Sequence, residues 1–112
     1  MITGGAHGIG AALARRFKAE GASHIVVADL DEAAANSVAA EVDGTAKRVD
    51  VSSENDIREL IEETESSVGP IGLFCSNAGI AAADSLDSPN NEWQLIWEVN
   101  VMAHVYLSLI HI

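Results

Sequence analysis

The sequence predicts an open α/β fold, a doubly wound parallel sheet with helices on both faces, and three observations carry that prediction. Short apolar, β-branched runs alternate with helical patterns along the whole chain. A glycine-rich loop, Thr3-Gly4-Gly5-Ala6-His7-Gly8-Ile9-Gly10, stands immediately before the first helical pattern. An aspartate, Asp29, closes the second apolar run 19 residues past Gly10.

Met1-Ile2 reads as the end of a first strand. Ile9, Leu13 and Phe17 recur at helical spacing, and Gly21 is placed to stop that helix. His24 to Ala28 is a short run bounded by turn residues, the pattern of a buried strand. Asp31 is placed to cap a second helix whose Ala34, Val38 and Val42 share a face and which Gly44 ends. Ala46 to Val49 is a third strand. Ser53 with Asp56 three residues on is a capping-box pattern that opens a third helix. Ile57, Leu60, Ile61, Thr64 and Val68 line its apolar face, and Gly69-Pro70 breaks it. Ile71 to Ser76 reads as a further buried strand. In the last segment Ser88 caps a helix with Pro89 at its first position, continuing through Trp93, Ile96, Trp97, Asn100 and Val101. This alternation implies right-handed crossovers within one parallel sheet.

Length and composition fit a single soluble domain. The 112 residues are 48% hydrophobic and 21% charged, close to ordinary globular usage. Seventeen acidic against six basic residues give a net charge of −11, which argues against nucleic acid or an anionic membrane as partner. One cysteine, Cys75, builds neither a disulfide framework nor a zinc site. No basic-then-apolar leader opens the sequence and no apolar run reaches membrane-spanning length, so a cytoplasmic location is the default expectation.

The glycine loop is the most informative stretch. A pyrophosphate must approach the backbone closely, and side chains at Gly4, Gly8 or Gly10 would hold it off or prevent the tight turn. The helix after the loop offers unpaired N–H groups and partial positive charge to the phosphates. No Gly-Lys-Ser/Thr closes the loop, which argues against a phosphoryl-transfer loop. Glycines also make plain turns, but here Asp29 stands where an acidic side chain meets the two hydroxyls of an adenosine ribose. An acid at that place would repel a 2′-phosphate, so NAD is favoured over NADP. The other reading of Asp29, a helix cap, suits Asp31 better. His7 is open between a place near the phosphates and loop filler, with loop filler the favoured reading.

Together with three motifs further along the chain, the Thr3, Gly4, Gly8, Ile9, Gly10 pattern resembles the short-chain dehydrogenase/reductase family, whose loop runs Thr-Gly-x-x-x-Gly-x-Gly. The resemblance implies a Rossmann-type sheet, of which this segment holds strands in the order 3-2-1-4. It implies that Asp50, with Val51 next to it, contacts the adenine. Ser76-Asn77-Ala78-Gly79 is similar to the family's Asn-Asn-Ala-Gly, with Ser76 departing at the first position; Asn77, Ala78 and Gly79 would line the cleft towards the nicotinamide ribose. Val99-Asn100 resembles the place where an asparagine helps to organise the proton relay, the one catalytic position expected within the chain. Residues 1–106 carry the resemblance, and 107–112 (Leu-Ser-Leu-Ile-His-Ile) fit it poorly, as a tail foreign to the family.

The resemblance implies an oxidoreductase passing hydride between NAD and an alcohol or ketone, working as a dimer or tetramer. Its tyrosine, with a lysine four residues on, and its serine are expected beyond residue 112. The only tyrosine here, Tyr106, has Ile110 four residues later and is not that pair. The family's first strand normally begins several residues before the threonine. Trp93 and Trp97 are open between interface and core. A non-catalytic dinucleotide sensor or scaffold stays open as the alternative, decided by whether the parent protein contains Tyr-x-x-x-Lys.

Overall fold

The computed structural model describes residues 1–82 and 85–111, the side chain of residue 111 excepted. Its elements are β1 (Ile2–Thr3), α1 (Gly8–Ala19), β2 (Val26–Asp29), α2 (Glu32–Val42), β3 (Thr45–Arg48), α3 (Glu54–Ser67), α4 (Asn90–Trp97), a π-helical turn (Glu98–Met102) and α5 (Ala103–His111). The strands pair in parallel, with β1 beside β2 and β2 beside β3. Successive side chains of a strand point to opposite faces, and the core divides accordingly. Ile25 and Val27 meet the apolar faces of α1 and α2 on one side. Val26 and Ala28 meet Ile57, Leu60 and Ile61 of α3 and Ala103 and Leu107 of α5 on the other. This is the expected partial Rossmann-type architecture, helices on both faces of a parallel sheet.

Local chemistry sets most boundaries. The Asp31 carboxylate accepts from the Ala34 N–H at 3.0 Å and caps α2. The Ser53 hydroxyl accepts from the Asp56 N–H at 3.2 Å and donates to the Asp56 carboxylate at 2.7 Å, capping α3. Past α1, the Gly21 N–H returns to Lys18 and the Ala22 N–H to Phe17, closing the helix where the sequence predicts.

Four expectations need correction. The run 71–76 forms no extended strand: it meets β1 at one parallel bridge, Ile2 to Cys75. A strand exists only as far as its neighbour does, and β1 has two residues. Even so, Cys75 N donates to Met1 O at 2.9 Å and Thr3 N to Cys75 O at 3.0 Å, so the segment occupies the fourth-strand position beside β1. The third strand begins and ends one residue earlier than 46–49, leaving Val49 buried beyond its end. The left-handed residue after α2 is Asp43 (φ 52°), and Gly44 comes after it, donating to Ala39 O at 2.8 Å. In the last helix Pro89 itself holds the cap position, with extended ψ of 152°, and its carbonyl accepts from Glu92 N at 3.0 Å. Ser88 therefore lies one residue outside.

Trp93 and Trp97 are about half exposed, Val101 and Val105 beyond them are exposed as well, and no residue of α4 is buried. Leu107, in the segment set apart as a tail, is 4% exposed within α5, while Ile112 lies outside the described residues. Among the described residues no helix is long and apolar enough to cross a membrane.

Ser53→Ala is expected to lower stability by about 1 kcal/mol, read from the midpoint of a denaturant melt. The same hydroxyl is the first cause of the low Asp56 pKa, ahead of the Asp50 N–H. A depressed carboxylate contributes stability that is present above about pH 4 and is lost as pH falls through the folded value. The acid limb of the stability profile should therefore flatten in Ser53→Ala.

Candidate functional site

The carboxyl ends of β1, β2 and β3 open onto a cleft of about 430 Å³ lined by residues from every motif singled out above: Gly4, Gly8, Ile9 and Gly10, then Asp29, Asp50 and Val51, then Asn77, Ala78 and Gly79. Ligands of open α/β sheets bind outside the carboxyl ends of the strands. A larger cavity of about 960 Å³ lies at the opposite ends of the strands, between Phe17, Ile25, Lys47 and Ile71, and contains none of these motifs. The smaller cleft is the chemical candidate.

One wall is the glycine loop. Gly4 sits at φ +62°, and a Cβ there would stand 2.8 Å from Ala78 Cα. The Asn77 amide donates to Thr3 O at 3.0 Å and Gly4 O at 3.2 Å, fastening the loop to the 75–79 segment. Thr3 completes that fastening. Its hydroxyl accepts from Asn77 N and Ala78 N at 3.1 and 3.3 Å. At 1% exposure it lies beneath the cleft, not in it. Thr3 was expected to bind cofactor; the structure makes it a support for the residues that line the site.

Gly8 differs. It has φ +49°, and a Cβ on it would meet nothing within 4 Å, because it faces the cleft. It opens α1, whose cap residue His7 makes no side-chain capping bond, unlike Asp31 and Ser53 on α2 and α3. The first-turn N–H groups of α1 are thus left to whatever the cleft holds. Open space over a glycine thus meets an uncapped helix N-terminus, a geometry suited to an anion.

The second wall is acidic. Asp29 uses one carboxylate oxygen to accept from Ala6 N and the other from Asp31 N, both at 3.0 Å. It therefore ties the loop to the end of β2 and lines the cleft there. Asp50 accepts from the Ser52 N–H at 3.0 Å and the Ser52 hydroxyl at 2.6 Å through one oxygen, which fixes the turn before α3. Val51 is buried beside it.

Asn100 stands in the π-helical turn, a feature frequent at functional sites. Its side-chain oxygen accepts from Ile80 N and its amide donates to Ile80 O, both at 2.8 Å. A Cβ on Gly79 would come within 3.3 Å of that oxygen. The side chain is thus committed to shaping the 79–80 wall. Ser76 and His104 Nδ1 make a second, short contact between the same segments.

Sequence reasoning did not assign Leu30, Val49 or Ile80 to the cleft, and it favoured loop filler for His7. Leu30 and Ile80 line the cleft and are exposed, as is Ile9 opposite them, giving apolar surface on which a flat base can rest. The available signal was a leucine set between two aspartates at a strand end. His7 lines the cleft, with Nε2 3.1 Å from an Asp31 carboxylate oxygen. Among the described residues no group of His, Cys, Asp and Glu is arranged to hold a metal.

The cleft thus brings together an uncapped helix N-terminus, a carboxylate and exposed apolar surface. A family described as short chain dehydrogenase matches residues 1–111. The uncharacterized oxidoreductase YuxG of Bacillus subtilis is 37% identical over 95% of the chain, which covers 16% of that protein. An NADP-dependent (R)-specific alcohol dehydrogenase of Lentilactobacillus kefiri is 35% identical over 90% of the chain and 42% of its own length. The crystal structure of a short-chain dehydrogenase/reductase (glucose/ribitol dehydrogenase) from Brucella melitensis superposes with a TM-score of 0.90 at 27% identity, over 98% of this chain and 48% of that one. The chain thus spans less than half the length of each of these relatives.

Proposed function

The chain belongs to the short-chain dehydrogenase family, and from that premise we propose that it is the NAD-binding part of an oxidoreductase that passes hydride between the nicotinamide and an alcohol or ketone. The observation that supports this reading best is convergence. Motifs more than 70 residues apart, Thr3-Gly4 and Asn77, are hydrogen-bonded to each other at the rim of one cleft.

In this reading the N–H groups of α1 and the space above Gly8 hold the pyrophosphate, with Ile9 and Gly10 forming the first turn. Asp29, which lines the cleft, orients the adenosine ribose through its carboxylate. Asp50 and Val51 border the adenine, and Ala78 and Gly79 border the nicotinamide ribose. Bound NAD supplies the hydride acceptor. Asn100 acts by position: it holds Ile80 and the backbone beside Gly79, and so shapes the nicotinamide end where the proton relay is expected. The acid at Asp29 supports NAD over NADP, although the Lentilactobacillus kefiri relative is NADP-dependent. The exposed Trp93, Trp97, Val101 and Val105 support a homo-oligomer formed through this helix. Light scattering on the full chain checks it, with Trp97→Glu expected to give a monomer.

The direct test is calorimetric titration with ADP-ribose, which carries every group assigned above except the nicotinamide. Saturable binding that NAD competes away is the expected result. An absence of binding at millimolar concentration would remove the dinucleotide reading. In the full-length protein a small secondary alcohol should then reduce NAD measurably once binding is established.

A further inference from the structure

The adenosine end of the cleft carries an arrangement that the dinucleotide reading does not use. Among the described residues His7 is the one basic side chain lining the cleft, against two acids, Asp29 and Asp50. Its Nε2 lies 3.1 Å from Asp31 Oδ2, while Asp31 Oδ1 caps α2 at Ala34 N and Asp31 N donates to Asp29 Oδ1. With Ala6 N on Asp29 Oδ2, residues 6 and 7 are clasped twice to residues 29 and 31. The imidazole is therefore held by a carboxylate two residues from the one that meets the ribose.

We propose that Asp31 is a second cofactor-selecting residue, a positioning residue that acts by holding His7. The proposal rests on the cleft being a dinucleotide site. A 2′-phosphate entering beside Asp29 meets carboxylates at 29 and 31, and the nearby imidazole is already engaged. With the Asp31 carboxylate removed, His7 is free to turn to that phosphate, and one negative charge is gone from the rim. The carboxylate in contact with His7 is Asp31, from the start of α2; Asp29 from the end of β2 and Asp50 line the same cleft, and the first turn of its own helix holds no acid. Arg48 is paired in register with Asp29 on β3, but it does not line the cleft, and its charge acts on Asp56. Two consequences separate this from simple charge removal. Most of the gain must require an imidazole, and that part must require the imidazole to be charged.

The experiment titrates the full chain with ADP-ribose and with 2′-phospho-ADP-ribose at about pH 6 and about pH 9, either side of the range in which imidazole changes charge. Asp31→Ser keeps an oxygen to cap α2 and is expected to tighten the 2′-phosphorylated probe roughly three- to tenfold at the lower pH. ADP-ribose should stay within about twofold, the additivity error of independent sites. Most of the gain should be lost at the higher pH and in Asp31→Ser combined with His7→Gln, leaving only what the loss of one negative charge gives at either pH. Asp31→Asn, which retains a longer capping side chain, should repeat the result if the serine variant folds poorly. A gain equally large at the higher pH or undiminished by His7→Gln overturns the proposal, as does an unchanged ratio of the two affinities. Failure of the unmutated chain to bind ADP-ribose at all overturns the dinucleotide reading, and this inference with it.

Discussion

Gly10→Ala is expected to destabilise the protein by roughly 3 kcal/mol or more, at or beyond the usual range for overpacking and a large part of a typical domain's 5–15 kcal/mol. A Cβ at Gly10 would overlap the carbonyl oxygen of Gly4 and stand 2.7 Å from its carbonyl carbon and 2.8 Å from Asn77 Nδ2. None of these can move aside cheaply. Gly4 is held at φ +62°, and Asn77 Nδ2 is already shared between Thr3 O and Gly4 O. Gly8→Val is the informative contrast. Gly8 has open space where its Cβ would go, so a side chain costs the fold only the strain of φ +49°, about 1–2 kcal/mol. In the proposed reading that open space receives the pyrophosphate, so Gly8→Val should keep the helical signal and abolish ADP-ribose binding. Denaturant melts and calorimetry on both variants check this. A Gly10→Ala protein as stable as the parent would mean that the loop is slack, and full binding by Gly8→Val would mean that the pyrophosphate sits elsewhere.

What the sequence made legible was mostly what local chemistry decides. Asp31 and Ser53 cap their helices through N–H groups three residues away, so those starts can be read from the letters alone. The alternating sides of Val26, Val27 and Ala28 come from strand geometry, and with them the two halves of the core. The motif residues of the site also converge as expected, because a parallel α/β sheet delivers the carboxyl ends of its strands to one edge. The rest depended on partners far along the chain. Ile71 to Ser76 has strand composition, but ladder pairing needs a neighbour, and β1 offers one bridge. The spacing of Trp93, Trp97 and Val101 suits an unbroken helix; the π-helical turn at Glu98–Met102 comes with the Asn100 amide clamped on Ile80, which no periodicity reveals. Thr3 looked like a ligand contact because it belongs to the loop motif, yet its hydroxyl is turned inward to backbone more than 70 residues away.

Asp29→Ala carries the other large effect, on binding. The carboxylate has two duties, the backbone ties to Ala6 and Asp31 and the proposed grip on the ribose hydroxyls. Hydrogen bonds to a charged group contribute about 1.5–3 kcal/mol each, so losing the ribose contacts should weaken ADP-ribose binding by about tenfold to a hundredfold or more. The freed N–H groups lie at a partly exposed rim where water can replace the carboxylate, so the loss of stability should be near 1 kcal/mol. Asp29→Asn separates the two duties. It keeps one acceptor oxygen for the backbone and loses the charge, so it should retain most of the stability and little of the affinity. Removing this acid also lifts its repulsion of a 2′-phosphate, which narrows the preference for NAD at every pH; most of the Asp31 effect, by contrast, requires a charged imidazole. If the unmutated protein already binds NADP more tightly than NAD, Asp29 does not have the role assigned to it. If Asp29→Ala binds ADP-ribose unchanged, the carboxylate serves only to fasten the glycine loop to β2.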